Sequence, residues 1–423
     1  MAYMTGYPIL GITSNILQLL IVENDDTEFH VLSYYEEPHS AIKDGNLVDA
    51  NELIDKIKKV YEKTNFFLNT TINDALLVFP DVQATIKGND LGILLNTEGT
   101  EITLTHIREL LRETAKKAQA VNQQLLNIYP ISFTVNDVSD IENPQGLIGN
   151  SISLKSVSVS VPEGLFMNVL HTIEQSGINV LDIFPAFYCN VTEVASGLNL
   201  KTGGNVIDVG YDYTAISIYE NGIPKKIRIL RQGMKGLADI LAKKYQISHD
   251  NAYDLLKTSV YLDEKTAEEL VVYRLELPTG VLDITEQDLA QTLSAYLEEL
   301  IVEIRDVLEH FGKQSQFPII FIGELLKIPG GKEVISSFFD KKEIYFYTSD
   351  VVGLREFNVT QLIGCAKLLP IREKLLKQNY ETAKTEDIRL EDKNSKKKVQ
   401  QQEKQKDEKE KKFWDKITTY FFD

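Results

Sequence analysis

Thirteen residues at the end of the sequence, Lys411 to Asp423, combine bulky aromatics with lysines in a spacing that suits one kind of chemistry, partition into a lipid–water boundary. Wound as a helix at about 100° per residue, Phe413, Trp414, Ile417, Tyr420 and Phe421 share an arc of roughly 120°. Lys411, Lys412, Lys416, Asp415 and Thr419 take the opposite side or its flank, and only Phe422 is misplaced. Trp414 is the single tryptophan of the chain, and indole favours the headgroup layer in which such a helix would lie. Upstream, residues 381–410 hold almost nothing apolar and read as a disordered, charged linker that cannot bury enough surface to fold. The plainer alternative is a terminal helix docked on its own domain or on another protein. A sticky helix beyond a solvated tether favours membrane or partner binding.

No catalytic constellation competes with this. The six histidines are scattered, no Cys/His spacing suits a metal, and no Ser/His/Asp arrangement stands out. Catalytic residues and metal ligands are therefore expected to be none. The acidic stretch Asp283 to Asp288 reads as a solvated helix start. Cys189 and Cys365 sit among apolar or small residues and read as buried structural thiols in a reducing cytoplasm.

The elements that must position any site come from 423 residues, 43% hydrophobic and 25% charged, enough for two soluble domains. A net charge of -17 excludes general nucleic-acid affinity and makes any attraction to anionic lipid local to the terminal lysines. No signal peptide is expected, and no run is long enough to span a bilayer.

Pro8 to Val22 reads as strand, tight turn and strand, with a third strand from Phe29 to Tyr35. Asp49 suits the N-cap of a helix from Ala50 to Thr64 striped by Leu53, Ile54, Ile57 and Val60, and Ala75 to Phe79 is a buried strand. Residues 81–161 are more polar, with short strands around a helix from Leu104 to Gln124, and read as an inserted small α+β subdomain. In its last strand Val157, Val159 and Val161 alternate with serines, which predicts one exposed face. Residues 1–80 and 162–200 form the first domain on this reading, and 201–380 the second. Gly204 to Tyr219 is again strand, turn and strand, with Lys226 to Leu230 as a third, so the two halves look duplicated. Helices follow at Gly233 to Lys244, Asp250 to Ser259 and Thr285 to Gly312, the last striped by Leu289, Leu293, Leu297, Ile301, Ile304 and Leu308. Pro318 to Ile322 is a buried strand, followed by a Gly323 to Gly331 turn and helices from Lys332 to Phe339 and Val359 to Leu369.

Two halves that each open with strand, turn and strand describe the actin/Hsp70-like fold, an α/β two-domain ATPase fold. The motifs resemble the FtsA family of bacterial cell division. Ser40-Ala41-Ile42-Lys43-Asp44-Gly45-Asn46-Leu47-Val48-Asp49 is similar to its "gIrkGvVvDi" segment. Glu142-Asn143-Pro144-Gln145-Gly146-Leu147-Ile148-Gly149 is similar to "iknPiGmsG" of the insert that separates FtsA from actin. Val206 to Tyr219 resembles the second phosphate loop and Gly323 to Gly330 the "GGGaqlPG" adenosine turn.

The resemblance implies ATP and Mg2+ held by backbone N–H groups of two glycine-rich turns, with a carboxylate in each turn organising the hydrated metal. Carried over residue by residue, it assigns nucleotide contacts to Thr13, Ser14, Asp208, Gly210, Thr214, Gly233, Gly323, Pro329 and Gly330. The chain departs from the pattern in four places. Leu10 to Asn15 lacks the aspartate of the first turn, Tyr211, Asp212 and Tyr213 put bulk in the second, and Ala215 replaces its second carboxylate. Glu324 and Leu325 stand where two glycines belong, and the nucleoside-facing Glu and Lys of the family align with Tyr253 and Leu256. These changes imply degraded or absent nucleotide binding and no ATPase activity of note.

The family likeness implies a scaffold that self-assembles and ties the C-terminal tail of FtsZ, bound through residues 248–317, to lipid of the inner leaflet at the division site. It implies no nucleic-acid partner. The alternatives are an ATP-switched polymer with slow hydrolysis, and a cytoplasmic scaffold of another envelope machine of the PilM kind.

Overall fold

The computed structural model describes residues 6–376, apart from 25–28, 44, 81–82, 96–98, 278–279, 313–315, 340–342 and 356–357. The linker expected over 381–410 and the amphipathic helix expected over 411–423 lie outside the described residues.

Tyr7–Ile12 (β1) and Ile16–Asn24 (β2) are apolar runs divided by the turn Thr13-Ser14-Asn15, and they pair antiparallel with Leu10 opposite Leu19. Phe29–Pro38 (β3) extends this meander, and a small hairpin of Ile42–Lys43 (β4) and Asn46–Leu47 (β5) follows. Ala50–Leu68 (α1) starts where Asp49 accepts the Glu52 amide, and it buries Leu53, Ile57, Val60 and Tyr61 along one stripe. Asp74–Phe79 (β6) then lies parallel to β1.

The insert comprises Thr85–Leu94 (β7), Thr100–Glu101 (β8), Leu104–Ala118 (α2), Gln123–Val135 (β9), Val138–Ile141 (β10), Ile148–Gly149 (β11) and Ser151–Pro162 (β12). Its main sheet runs β10-β9-β12-β7, antiparallel throughout. The helix expected to reach Gln124 stops at Ala118, because Asn122 turns the chain with a φ of 59° and β9 begins at Gln123. The exposed face expected for the serines of β12 is also absent, since Ser156, Ser158 and Ser160 are all buried. Val159 and Val161 belong to the first-domain core. On the other face, Ser158 and Ser160 stand opposite Ile128 and Leu125, which cluster with Ala115 and Ala118 of α2. One strand therefore serves two cores, and small side chains let the helix approach.

Glu163–Gln175 (α3), Asn179–Pro185 (β13) and Ala186–Gly197 (α4) complete the first unit, whose sheet runs β13-β6-β1-β2-β3. The second unit repeats it with Gly203–Val209 (β14), Thr214–Glu220 (β15), Ile223–Leu230 (β16), Ile319–Gly323 (β19) and Ile344–Phe346 (β20) in the order β16-β15-β14-β19-β20. In both sheets three antiparallel strands of a meander continue into two parallel ones. The same five-strand order in each half is the duplicated actin-like architecture.

Met234–Tyr245 (α5), His249–Ser259 (α6), a hairpin of Val271–Leu277 (β17) and Gly280–Thr285 (β18), and Glu286–His310 (α7) enclose the second core with Gly331–Phe338 (α8). Thr285 and Asp288 exchange the hydrogen bonds of a capping box at the start of α7. Its stripe of Leu289, Leu293, Leu297, Ile301, Ile304 and Leu308 is buried. Thr360–Leu376 (α9) was expected with the second domain, yet it crosses back: Leu362, Ile363, Cys365, Ala366 and Leu369 join the first core, against α4 and β1. Cys189 and Cys365 are both buried. No helix among the described residues is long and apolar enough to cross a membrane.

Candidate functional site

The turn of each meander opens toward the other half, so the first (Thr13 to Asn15) and the second (Gly210 to Tyr213) border one cleft with Glu324, which begins a short 3-10 turn after β19. The space left is about 30 Å3, lined by Thr13, Ser14, Asn15, Asp208, Tyr211 and Glu324 among others. That is far below the ~300–1,000 Å3 of ordinary small-molecule sites.

Side chains fill the rest. Tyr253 of α6 donates its hydroxyl to Glu324 Oε2 at 2.6 Å, and Asn15 Nδ2 donates to the same hydroxyl at 3.3 Å. The Tyr253 ring meets Tyr211 edge-on with centroids 5.2 Å apart, and Lys257 Nζ sits 4.5 Å from the Tyr253 centroid. Burial, aided by Glu324, pushes the Tyr253 hydroxyl well above the phenol range, so it stays a donor. Burial likewise raises Glu324 above the ordinary carboxylate value, while the Tyr253 bond and Lys327 pull it back.

Asp208, at the end of β14, accepts from Asn190 Nδ2 of α4 at 2.9 Å, while its Oδ1 is buried and accepts no hydrogen bond. Burial raises its pKa to about 6 despite the Asn190 bond, and Glu324 adds to the rise. Gly323 lets the chain pass this carboxylate: its φ is 96°, and a Cβ there would lie 2.6 Å from Asp208 Oδ1.

Several residues expected at phosphates are engaged by their own loops. Thr13 Oγ1 lies 3.1 Å from the Ile16 carbonyl and accepts the Ile16 amide at the same distance. Gly210 N donates to Tyr213 O at 3.0 Å, and Thr214 Oγ1 donates to Gln232 O at 2.8 Å. At the start of α5 the Met234 and Lys235 amides donate to the carbonyls of Gly210 and Tyr211, so these helix N-terminal donors already have acceptors. Gly233 fits there because a Cβ would meet Tyr211 O at 2.4 Å. Pro329 and Gly330 face away from the cavity: Pro329 O accepts the Leu262 amide, and a Cβ on Gly330 would lie 2.6 Å from Asp263 N.

The structure thus gathers Thr13, Ser14, Asp208 and Gly210 around the cavity, sets Gly323 and Gly233 directly behind it, and leaves Thr214, Pro329 and Gly330 outside its lining. Sequence reasoning missed Asn190, Asn358 and Gln361 as lining residues, and Asn15 as a hydrogen-bond donor there. The available signal for Asn190 was a carboxamide inside the apolar run 186–195. Among the described residues no cluster of His, Cys, Asp and Glu could hold a metal.

A second concavity of about 450 Å3 lies on the outer part of the second unit, between α7, α8 and the loop before β17. Leu262, Leu297, Val334 and Phe338 form its apolar floor, with Glu264, Lys265 and Glu298 at its edge.

Residues 85–160 match the model of the SHS2 domain inserted in FtsA. The chain is 22% identical over 356 residues to the cell division protein FtsA of Staphylococcus epidermidis, covering 83% of this chain and 76% of the relative. It is 20% identical over 309 residues to FtsA of Bacillus subtilis, covering 72% and 70%. Among solved structures, a chain of the PilM-PilN type IV pilus biogenesis complex superimposes with a TM-score of 0.59 at 13% identity, covering 85% of this chain and 97% of that one. MreB5 of Spiroplasma citri bound to ADP follows with 0.54 at 10% identity, covering 88% and 99%. With two matching five-stranded halves, a segment that matches the SHS2 insert of FtsA and a similarity to FtsA along about four fifths of its length, the chain has the actin-like fold and is similar to FtsA.

Proposed function

We propose that this protein is a cell-division scaffold of the FtsA kind, which ties FtsZ filaments to the cytoplasmic face of the membrane and self-assembles, with degraded nucleotide binding. The observation that carries the proposal is the FtsA-type insert at residues 85–160 seated on a duplicated actin-like body. The amphipathic pattern of Lys411, Lys412, Phe413, Trp414, Lys416, Ile417, Tyr420 and Phe421 supplies the lipid contact. The FtsZ tail is assigned to the concavity between α7 and α8, whose apolar floor and mixed-charge edge suit a short amphipathic peptide.

The residues present do not fit Mg-ATP. The first turn has no carboxylate, Glu324 and the Tyr211-Tyr253 pair occupy the cleft, and the α5 amides already have acceptors. The enzyme-class expectation follows as a proposal: no ATPase activity. A fluorescence titration of the full chain with an FtsZ tail peptide, and with Phe338→Glu at the half-buried rim of the concavity, tests the partner. Binding that Phe338→Glu abolishes with the fold intact supports the assignment; absence of binding by the wild type removes it. The likeness to PilM favours a second reading, a scaffold of another envelope machine, and that same absence of FtsZ binding would favour it.

A further inference from the structure

We propose that Asn15, Tyr253 and Glu324 form a built-in clamp that joins the two halves across the cleft and does by side chains what a bound phosphate chain does in nucleotide-binding actin-like proteins. The inference rests on the reading of degraded nucleotide binding and goes further, because it says what replaces the ligand. Each member comes from a different place: Asn15 from the first turn of the first unit, Glu324 from the end of β19, and Tyr253 from α6. The Tyr253 hydroxyl is the common atom, accepting from Asn15 at 3.3 Å and donating to Glu324 at 2.6 Å. It therefore uses both of its hydrogen-bonding capacities in one bridge between halves that the chain joins only distantly.

Two further observations fix the bridge. The Tyr253 ring is held edge-on by Tyr211 and covered by Lys257, so the hydroxyl is aimed before the cleft closes. Glu324 is half-buried, and losing its tyrosine partner leaves it only Asn15 and the charges of Lys327 and Lys257 in the closed form. Closure and the bridge are thus coupled: opening the cleft hydrates Glu324 and Asn15, and closing it requires Tyr253. The body is held in one conformation without a ligand, where a nucleotide would otherwise set the balance.

Hydrogen–deuterium exchange of the full chain tests this, comparing wild type with Tyr253→Phe, which keeps the ring contacts and removes only the hydroxyl. The expected result is at least about tenfold faster exchange in the peptides that span residues 13–16 and 323–328, with α2 and β12 of the insert unchanged. Unchanged exchange at both turns overturns the clamp. Asn15→Ala removes the link between the halves and leaves the Tyr253–Glu324 pair, so it gives the same readout if Tyr253→Phe does not fold. The same samples with Mg-ATP separate the two ideas. Protection of these peptides by Mg-ATP in the wild type overturns the degraded-nucleotide reading, whereas unchanged exchange in Tyr253→Phe overturns the clamp alone.

Discussion

A Cβ on Gly364 would lie 1.8 Å from the carbonyl oxygen of Cys189, so α9 and α4 cross backbone to backbone between the two sheets. The contact sets the spacing of the whole molecule, because α4 packs against strands of both sheets and α9 against β1.

Gly364→Ala probes that crossing. In an isolated helix the change would gain about 1 kcal/mol of propensity. Here the obstacle is backbone, which cannot swing aside, and the helices must part at a cost of roughly 3 kcal/mol or more. Denaturant unfolding should show the loss, with Gly364→Val failing to yield folded protein. A stabilised Gly364→Ala protein would contradict the crossing.

Glu193, one turn along α4 from Cys189, makes a second tie. Its carboxylate accepts from Tyr347 at 2.7 Å and Ser349 at 2.8 Å and pairs with Lys367 of α9 at 2.6 Å. Lys367→Met would leave the carboxylate buried without its cation and should cost ~3 kcal/mol, while Glu193→Gln keeps hydrogen-bonding capacity and should cost less. Unfolding curves of the two variants that rank them in the opposite order would refute this.

Much of this frame was legible in the sequence, because the physics is local. Leu10, Leu19 and Leu77 lie in continuous apolar runs of strands covered on both faces, and α1 and α7 announce themselves by one stripe and one cap. By contrast α4 has no stripe: Phe187, Tyr188, Cys189, Val191 and Val194 are buried all round it, so no periodicity separates it from a strand. The serines of β12 mislead for a related reason, since small polar residues under Ala115 and Ala118 look like a solvated face. The cleft was half legible. Its turns follow from local pattern, but the bridge joins residues 238 and 71 positions apart, which no periodicity reports.

Asp208 gives a pH signature. Its folded-state pKa is raised from 3.8 to about 6, so the folded form holds a proton that the unfolded form releases. Stability from this group is therefore full below about pH 4 and is lost as pH rises through about 6, a change of up to ~3 kcal/mol. Glu324, also raised, adds in the same direction. Asp208→Asn can still accept from Asn190 and does not titrate, so its stability should fall less between pH 4 and 6.5 than that of the wild type. Parallel pH profiles would show that the buried carboxylate does not titrate as described.

Mg-ATP should leave the melting temperature where it is. A ligand at a hundred times its Kd adds about 2.7 kcal/mol, which moves a melt by several degrees. With about 30 Å3 of space in the cleft, a shift below 1 °C at millimolar Mg-ATP is expected by differential scanning fluorimetry. A shift of several degrees would restore the nucleotide-switched alternative.

Membrane attachment should be composite and sensitive to salt. Lys411, Lys412 and Lys416 are each worth ~1 kcal/mol at an anionic surface, a term that screening removes within a Debye length. Phe413, Trp414, Ile417, Tyr420 and Phe421 add apolar burial at ~1.5–3 kcal/mol each, offset by the ordering of the helix and of its tether. On the proposed reading one such segment would be a weak anchor, and self-assembly would multiply it, because each bound copy raises the effective concentration of the next. Co-sedimentation with vesicles containing anionic lipid should therefore rise steeply with protein concentration, fall with salt and vanish on deleting residues 411–423. Phe413→Asp with Ile417→Asp should abolish binding while every lysine remains, since charge alone cannot hold the helix at physiological ionic strength. Retained binding by the truncated chain would place the lipid contact elsewhere on the body.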